Sequence, residues 1–287
     1  MKLQIEHVTR YEYDQSVTFT PHLLLILPRQ DVHIRTLVSD LNVFPHGSLH
    51  YGHDHYGNNI ARYFSTEESA QLLIQNHLTV ESTRSNPYDF LLDPHVTSYP
   101  FEYKENEKRA LSPFLTCDES ADLFSAWLGP IPEKRETLEF LTHINQRLHS
   151  ELGYVRRDEP GVQTVSETLE TGSASCRDVA HLFMELARHL GLASRFVSGY
   201  LYVSKTDEES AGVNVAEHAM HAWTEIYLPG SGWLGFDPTN GCLAGDQHIP
   251  VAAAITAADA SPIQGTYCSD HQVGCIMHVD VQIKGMN

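Results

Sequence analysis

One segment constrains this chain more than any other. From Val179 onward, Val179, Ala180, Leu182, Phe183, Leu186, Ala187 and Leu190 recur at helical spacing, the stripe of a helix buried along one side. Ser175 and Asp178 stand in the Ser-x-x-Asp spacing of a capping box. Arg188 and His189 supply a cationic last turn, and Gly191 can end the helix. With Ser175 as N-cap, the first helical residue is Cys176. A structural cysteine belongs in the middle of an apolar face; this one sits at the mouth of the helix, after Gly-Ser-Ala-Ser and before Arg-Asp.

That position suits chemistry. The thiolate is the nucleophilic form of cysteine, and the unpaired N–H groups and dipole of a helix N-terminus favour negative charge. The same N–H groups can hold the oxyanion of an acyl transfer. An imidazole beside the thiol and a carboxylate behind the imidazole would complete the set. A hairpin offers both. His218–Leu228 and Trp233–Asp237 flank the turn Pro229-Gly230-Ser231-Gly232, and antiparallel pairing brings the outer ends together. His221 and Asp237 lie at those ends, with His218 as a second candidate base. Alternation puts His221, Trp223, Glu225 and Tyr227 on one face. The spacing therefore predicts Cys176 as nucleophile, a histidine as base and acid, and Asp237 as the orienting carboxylate.

The rest of the chain divides by periodicity. Residues 1–100 carry β-branched and aromatic runs separated by turn signals, among them 3–13, 33–43, 59–64 and 71–81, and predict an antiparallel, sandwich-like β domain. Prolines 87, 94 and 100 and the charged run 104–109 predict a linker over 101–117. Helices are expected over 118–128 and 133–152, ahead of the Cys176 helix. A strand is expected over 195–203, then the hairpin, all within a core of 118–265. Residues 266–287 are expected as a C-terminal strand packing on the body. The fold class is α+β.

Composition limits the function. The 287 residues hold 19 basic and 37 acidic side chains, a formal net charge of -18, which argues against nucleic acid and anionic membrane surfaces as partners. No basic stretch leads into an apolar run at the start, and no segment nears the roughly 20 apolar residues of a membrane span. Five scattered cysteines do not suggest a disulfide framework, so a reducing cytoplasm is the expected location. Cys268, His271, Cys275 and His278 have a spacing that could hold zinc, but alternation from Cys275 to Ile283 reads as a strand. His50, His53 and His55 read as a polar turn. No metal and no cofactor are expected.

The local motifs resemble a known family. Gly172-x-x-x-Cys176-Arg177-Asp178 heads the helix. Arg188-His-Leu-Gly-Leu-Ala-Ser-Arg-Phe-Val-Ser-Gly-Tyr-Leu201 follows, then His221-Ala-Trp-Thr-Glu-Ile-Tyr-Leu228 and Gly232-Trp-Leu-Gly-Phe-Asp-Pro-Thr239. This series resembles the transglutaminase-like superfamily, and within it the bacterial branch described as transglutaminase-like cysteine proteases. The match runs from about 135 to 250. The flanking stretches 154–164 and 243–250 fit the same branch, and the first hundred residues resemble its preceding β domain. The resemblance implies a papain-like α+β core with a Cys176-His221-Asp237 triad, and so selects His221 over His218. It implies cysteine-dependent hydrolysis of a peptide or protein amide through a thioester. The alternatives are glutamine acyl transfer to an amine and a non-catalytic peptide-binding module on the same fold. Cross-linking members carry Trp where Arg177 stands here, which favours hydrolysis. Gln163 lies where papain-like enzymes often place an oxyanion donor, although a solvated loop glutamine is the simpler reading. Trp223 is expected to pack beside His221 and shield it from water, and Asp178 and Arg177 to stabilise the helix start and a neighbouring loop. The β domain could present substrate, shape the cleft or join copies into a homo-oligomer.

Overall fold

The structure is a computed structural model and describes residues 1–117, 119–131, 134–157, 159–203 and 219–286. It begins with β1 (Lys2–Phe19), β2 (His22–Leu24), β3 (Ile34–Phe44), β4 (Ser48–His53), β5 (Asn59–Phe64) and β6 (Ser69–Ser82). In β1 the alternation is literal: Leu3, Ile5, His7 and Thr9 are buried while Lys2, Gln4 and Glu6 are exposed. Helices follow as α1 (Glu105–Leu115), α2 (Ala121–Leu128), α3 (Thr137–Glu151), α4 (Val165–Thr171) and α5 (Cys176–His189). Apart from two-residue strands at 98–99, 135–136, 153–154 and 173–174, the remaining strands are β7 (Ser194–Leu201), β8 (His221–Leu228), β9 (Gly232–Asp237), β10 (Cys242–Leu243), β11 (His248–Ala254), β12 (Ile263–Gln264), β13 (Tyr267–Cys268) and β14 (Cys275–Met286).

Three main sheets result. One pairs β13-β1-β6-β3, with β14 also on β1; a second runs β12-β2-β5-β4; the core sheet runs β10-β9-β8-β7-β11. All neighbours in these sheets are antiparallel. The first two share a sandwich core that includes Phe19, Leu24, Tyr63, Leu72 and Ile74. The sandwich is fastened to the core sheet by a second cluster, in which Leu3, Ile5 and Val80 meet Tyr200, Ile249 and Val251. The fold is α+β, with an N-terminal β-rich part ahead of the helices and core sheet. Among the described residues no helix is long and apolar enough to cross a membrane.

Two boundaries differ from the sequence reading. The segment 101–117, expected as a linker, contains α1, whose Leu111 packs with Tyr103 and Ala193 on the core. Its charged exposed face hid the narrow apolar one, and Pro113, which cannot give the Arg109 carbonyl a helical N–H, argues against a helix there; the Ser112 hydroxyl donates to that carbonyl instead (3.2 Å). The β domain is also not confined to 1–100. β14 is paired over its full length with the N-terminal two thirds of β1, from Lys2 opposite Met286 to Tyr13 opposite Cys275, and β12 pairs with β2. The alanine-rich stretch 252–254 belongs to β11, which is covered on both faces and so lacks alternation.

Candidate active site

Cys176 is the first residue of α5, with Ser175 as N-cap. The helix start is held by Asp178. Its fully buried carboxylate accepts from the Ser175 backbone N–H (2.9 Å), the Ser175 hydroxyl (2.6 Å), the Gln163 N–H (2.7 Å) and the Arg157 guanidinium (2.6 Å). Burial opposes this charge, but the hydrogen bonds prevail and lower the Asp178 pKa. Arg177 donates to the carbonyls of Arg157 (3.1 Å) and Glu159 (3.0 Å). The loop ahead of α4 is thereby tied across the N-terminus of α5. Gln163 takes part through its backbone, and its side-chain oxygen accepts from Thr168 (3.3 Å).

The helix is set against the sheet by β8. The Thr224 hydroxyl donates to the Ala180 carbonyl at 2.7 Å, and Ala222 shares an apolar cluster with Cys176, Ala180 and Met184. Thr224 pairs with Phe236, and Phe183 packs edge-on against Phe236 with ring centroids 5.8 Å apart. Continuing that register places Asp237 across from Trp223 and one diagonal step from His221, a separation side chains can span. The His221 Nε2 and Asp237 Oδ2 are 2.8 Å apart. The Cys176 thiol neighbours the imidazole closely enough to favour its charged form; with Nε2 on the carboxylate, Nδ1 is the nitrogen left for sulfur. His218, the other candidate base, lies outside the described residues.

The environment favours an ion pair. His221 is 3% exposed and Asp237 is fully buried. Burial works against the imidazolium. The charge and hydrogen bond of Asp237, with a further contribution from Cys176, overcome it and raise the His221 pKa to about 10. The Asp237 pKa is lowered in turn: burial opposes the carboxylate, and His221 and then His248 outweigh it. Cys176 keeps 9% of its surface and is the most open of the three.

Asp237 is a hub. Oδ2 accepts from His221, from the Asn240 side chain (2.8 Å) and from His248 Nε2 (3.1 Å); Oδ1 accepts from the backbone N–H groups of Thr239 (3.0 Å) and Asn240 (3.2 Å). α3 braces the turn that supplies these donors. His149 Nδ1 donates to the Thr239 carbonyl (2.7 Å) and Asn145 to the Cys242 carbonyl (3.0 Å). Trp223 stacks on His221, with centroids 6.2 Å apart and planes 29° apart, and meets His248 edge-on at 5.2 Å. It is 1% exposed, so it closes one side of the histidine to water.

His248 is the member that sequence reasoning missed. A signal existed in the polar stretch Gly245-Asp-Gln-His248 just ahead of a strand, but its partner is Asp237, reached only through the fold. His221, Asp237 and His248 also form the one group among the described residues that brings three ligand-type atoms within 4.8 Å of one another. Hydrogen bonding accounts for it better than a metal does. His248 Nδ1 accepts from the Gly245 N–H at 3.3 Å, which leaves a proton on Nε2, the atom directed at Asp237. Cys268 and Cys275 fall opposite Thr18 and Tyr13 on β1. Five residues of strand separate those positions, on the order of 17 Å at about 3.4 Å each, too far for one ion.

Comparisons with known proteins place this arrangement. An uncharacterized protein of Mycobacterium tuberculosis is 26% identical over 293 residues, spanning 98% of this chain and 92% of the relative. An uncharacterized protein of Mycobacterium leprae is 22% identical over 277 residues, spanning 93% of each. The crystal structure of a Cytophaga hutchinsonii protein, named a "putative cysteine protease", superposes with a TM-score of 0.72 at 19% identity and covers 100% of this chain and 92% of that one. It shares the fold. Residues 3–81 match the model of the bacterial transglutaminase-like N-terminal region, and residues 126–238, which hold Cys176, His221 and Asp237, match that of the transglutaminase-like superfamily. With a transglutaminase-like core behind the N-terminal region that accompanies it in bacteria, this chain belongs to the transglutaminase-like superfamily.

Proposed function

We propose that the protein is a cysteine-dependent amide hydrolase that cleaves a peptide or protein amide through a thioester on Cys176. The observation that carries this reading is the buried His221–Asp237 hydrogen bond with the Cys176 thiol beside the imidazole at the N-terminus of α5. The Cys176 proton passes to His221 Nδ1, and the thiolate attacks the amide carbonyl carbon as the π electrons move to oxygen. That oxyanion rests against the Cys176 backbone N–H, which at the first helical position has no intrahelical acceptor. His221 returns the proton to the amide nitrogen as the C–N bond breaks, and the amine leaves. Water then attacks the thioester while His221 takes its proton. The C–S bond breaks, an acid is released and the thiol is restored. Asp237 holds the imidazole in orientation and balances the imidazolium.

Acyl transfer to an amine shares the first half and differs only in the second nucleophile. One experiment separates the two. The protein is incubated with a peptide mixture containing glutamine and a dansyl-labelled alkylamine, and products are read by mass spectrometry beside a Cys176→Ala control. New peptide termini or deamidated glutamine, absent from the control, are the expected result. Dansyl incorporation without hydrolysis would replace the reading with acyl transfer. Identical products from wild type and control, repeated with denatured proteins as substrate, would remove both.

A further inference from the structure

Between the β domain and the core sheet lies a cavity of about 230 Å³ that the proposed reaction does not use. It has space for roughly seven waters at about 30 Å³ each. Its walls come from both parts of the molecule: Arg29, Asp31 and Arg84 from one side, Arg195, Trp223 and His248 from the other.

The cavity leaves donors unmatched, while both of its carboxylates, Asp31 and Glu225, already have partners. The Trp223 indole N–H can only donate, it is buried, and it has no acceptor among the described residues. It faces Gly235, where a Cβ would stand 3.3 Å from Nε1, and Gly235 itself lines the cavity. Arg84 makes no ion pair or hydrogen bond with its guanidinium among the described residues, in contrast to its neighbours. Arg195 is paired with Glu225 through Nε (2.7 Å) and NH2 (2.6 Å). Arg29 spends NH1 on Asn58 and on the Tyr56 carbonyl (3.3 Å). Asp31 accepts from the backbone N–H groups of His33 (2.7 Å) and Ile34 (2.8 Å). With Glu225 cancelled by Arg195, the balance left is two guanidiniums against one carboxylate. Burial, and after it the nearby Arg195, press on the Arg29 charge, with Glu225, Asp54 and Asp31 opposing. The apolar wall is interspersed with these charges: Ile34 beside Asp31, Pro250 beside Arg29, and Trp233, which carries the Arg195 guanidinium 4.2 Å above its ring.

We propose that this cavity binds a small free carboxylic acid with a hydrocarbon body. The carboxylate takes Arg84, Arg29 and the Trp223 indole N–H, and the body lies on the apolar wall. Because His248 lines the cavity and donates to Asp237, occupancy is transmitted to the active site. This last step rests on the function proposed above; the binding does not.

The test uses the full ¹⁵N-labelled chain, whose three tryptophans give three indole cross-peaks, with Trp223→Phe to assign one. Phenylacetate is titrated at constant ionic strength. The Trp223 cross-peak is expected to move saturably with a Kd near or below about 1 mM, and Arg84→Ala to raise that Kd roughly tenfold or more. Arg62→Ala, on an exposed position of β5, leaves it in place. No saturable movement, or movement that survives Arg84→Ala, overturns the site. Inorganic phosphate that binds equally well overturns the hydrocarbon body, and tighter binding of the dipeptide Gly-Phe overturns the free acid in favour of a peptide C-terminus. Saturating phenylacetate is expected to change the rate of Cys176 alkylation by iodoacetamide at least about twofold; an unchanged rate overturns the transmission and leaves the site.

Discussion

Replacing Asp237 by asparagine puts the hydrogen-bond hub to a quantitative test. The carboxylate is fully buried and accepts from five donors: two backbone N–H groups at Oδ1, and His221, His248 and Asn240 at Oδ2. An amide has one acceptor oxygen and one NH2. Whichever way the amide turns, its NH2 faces donors. The orientation that offends least keeps oxygen toward the three side chains and turns NH2 toward Thr239 and Asn240. Two buried N–H groups then lose their acceptor, at about 1–3 kcal/mol each. Asp237→Asn should therefore destabilise by about 2–6 kcal/mol, a large share of the roughly 5–15 kcal/mol of a folded domain. The pull on His221 is lost as well, so its pKa falls. Urea unfolding at pH 7 of wild type, Asp237→Asn, His248→Ala and the double variant measures this, and the cycle isolates the Asp237–His248 pair. A coupling of about 1 kcal/mol is expected, the difference between a charged and a neutral hydrogen bond. An Asp237→Asn protein within about 0.5 kcal/mol of wild type, or a coupling of zero, would refute the hub.

Other consequences are as specific. His248→Gln, which keeps a donor, should retain more Cys176 alkylation than His248→Ala, whose rate should fall about tenfold for one lost charged hydrogen bond; equal rates would mean His248 does not position Asp237. Gly199→Ala places a Cβ 2.5 Å from the Trp223 ring and 2.4 Å from the Ile249 carbonyl, so it should cost about 1–3 kcal/mol of overpacking and slow alkylation. Gly52→Ala, with open space around it, should do neither. His7 is buried between Tyr200 and Thr9; burial, against a weaker pull from Asp280, lowers its pKa to about 4. The unfolded chain takes up this proton first, near 6.5, so stability is present above that pH and is lost as pH falls toward 4. The loss is about 3 kcal/mol, and the urea midpoint of His7→Gln should fall less steeply over that window than wild type.

What could be read from the sequence was what local physics decides. The apolar stripe and capping box located α5 and put Cys176 at its first position, and the Pro-Gly-Ser-Gly turn located the β8–β9 hairpin. Its open end indicated that His221 and Asp237 could meet. What escaped depends on contacts far apart in the chain. β14 is recognisable as a strand, but nothing local says that it runs beside β1. β11 lacks alternation because both its faces are covered, and that hid His248 at its start. α4 is only seven residues long, although Thr164-x-x-Glu167 carries the capping-box spacing that could have found it. α1 was masked by its charged face. The cavity lies between the two halves of the fold, and no local pattern in either half foretells it.

The most direct test of the central claim is iodoacetamide labelling over a pH series, read by mass spectrometry at each of the five cysteines, on wild type and His221→Ala. Exposure alone favours Cys242, Cys268 and Cys275 over the buried Cys176. If His221 holds a proton beside the Cys176 sulfur, Cys176 labels fastest at mildly acidic pH and loses that advantage in His221→Ala. If Cys176 labels no faster than Cys117, whose thiol pKa burial raises, or if its rate is the same in the variant, the paired nucleophile does not exist.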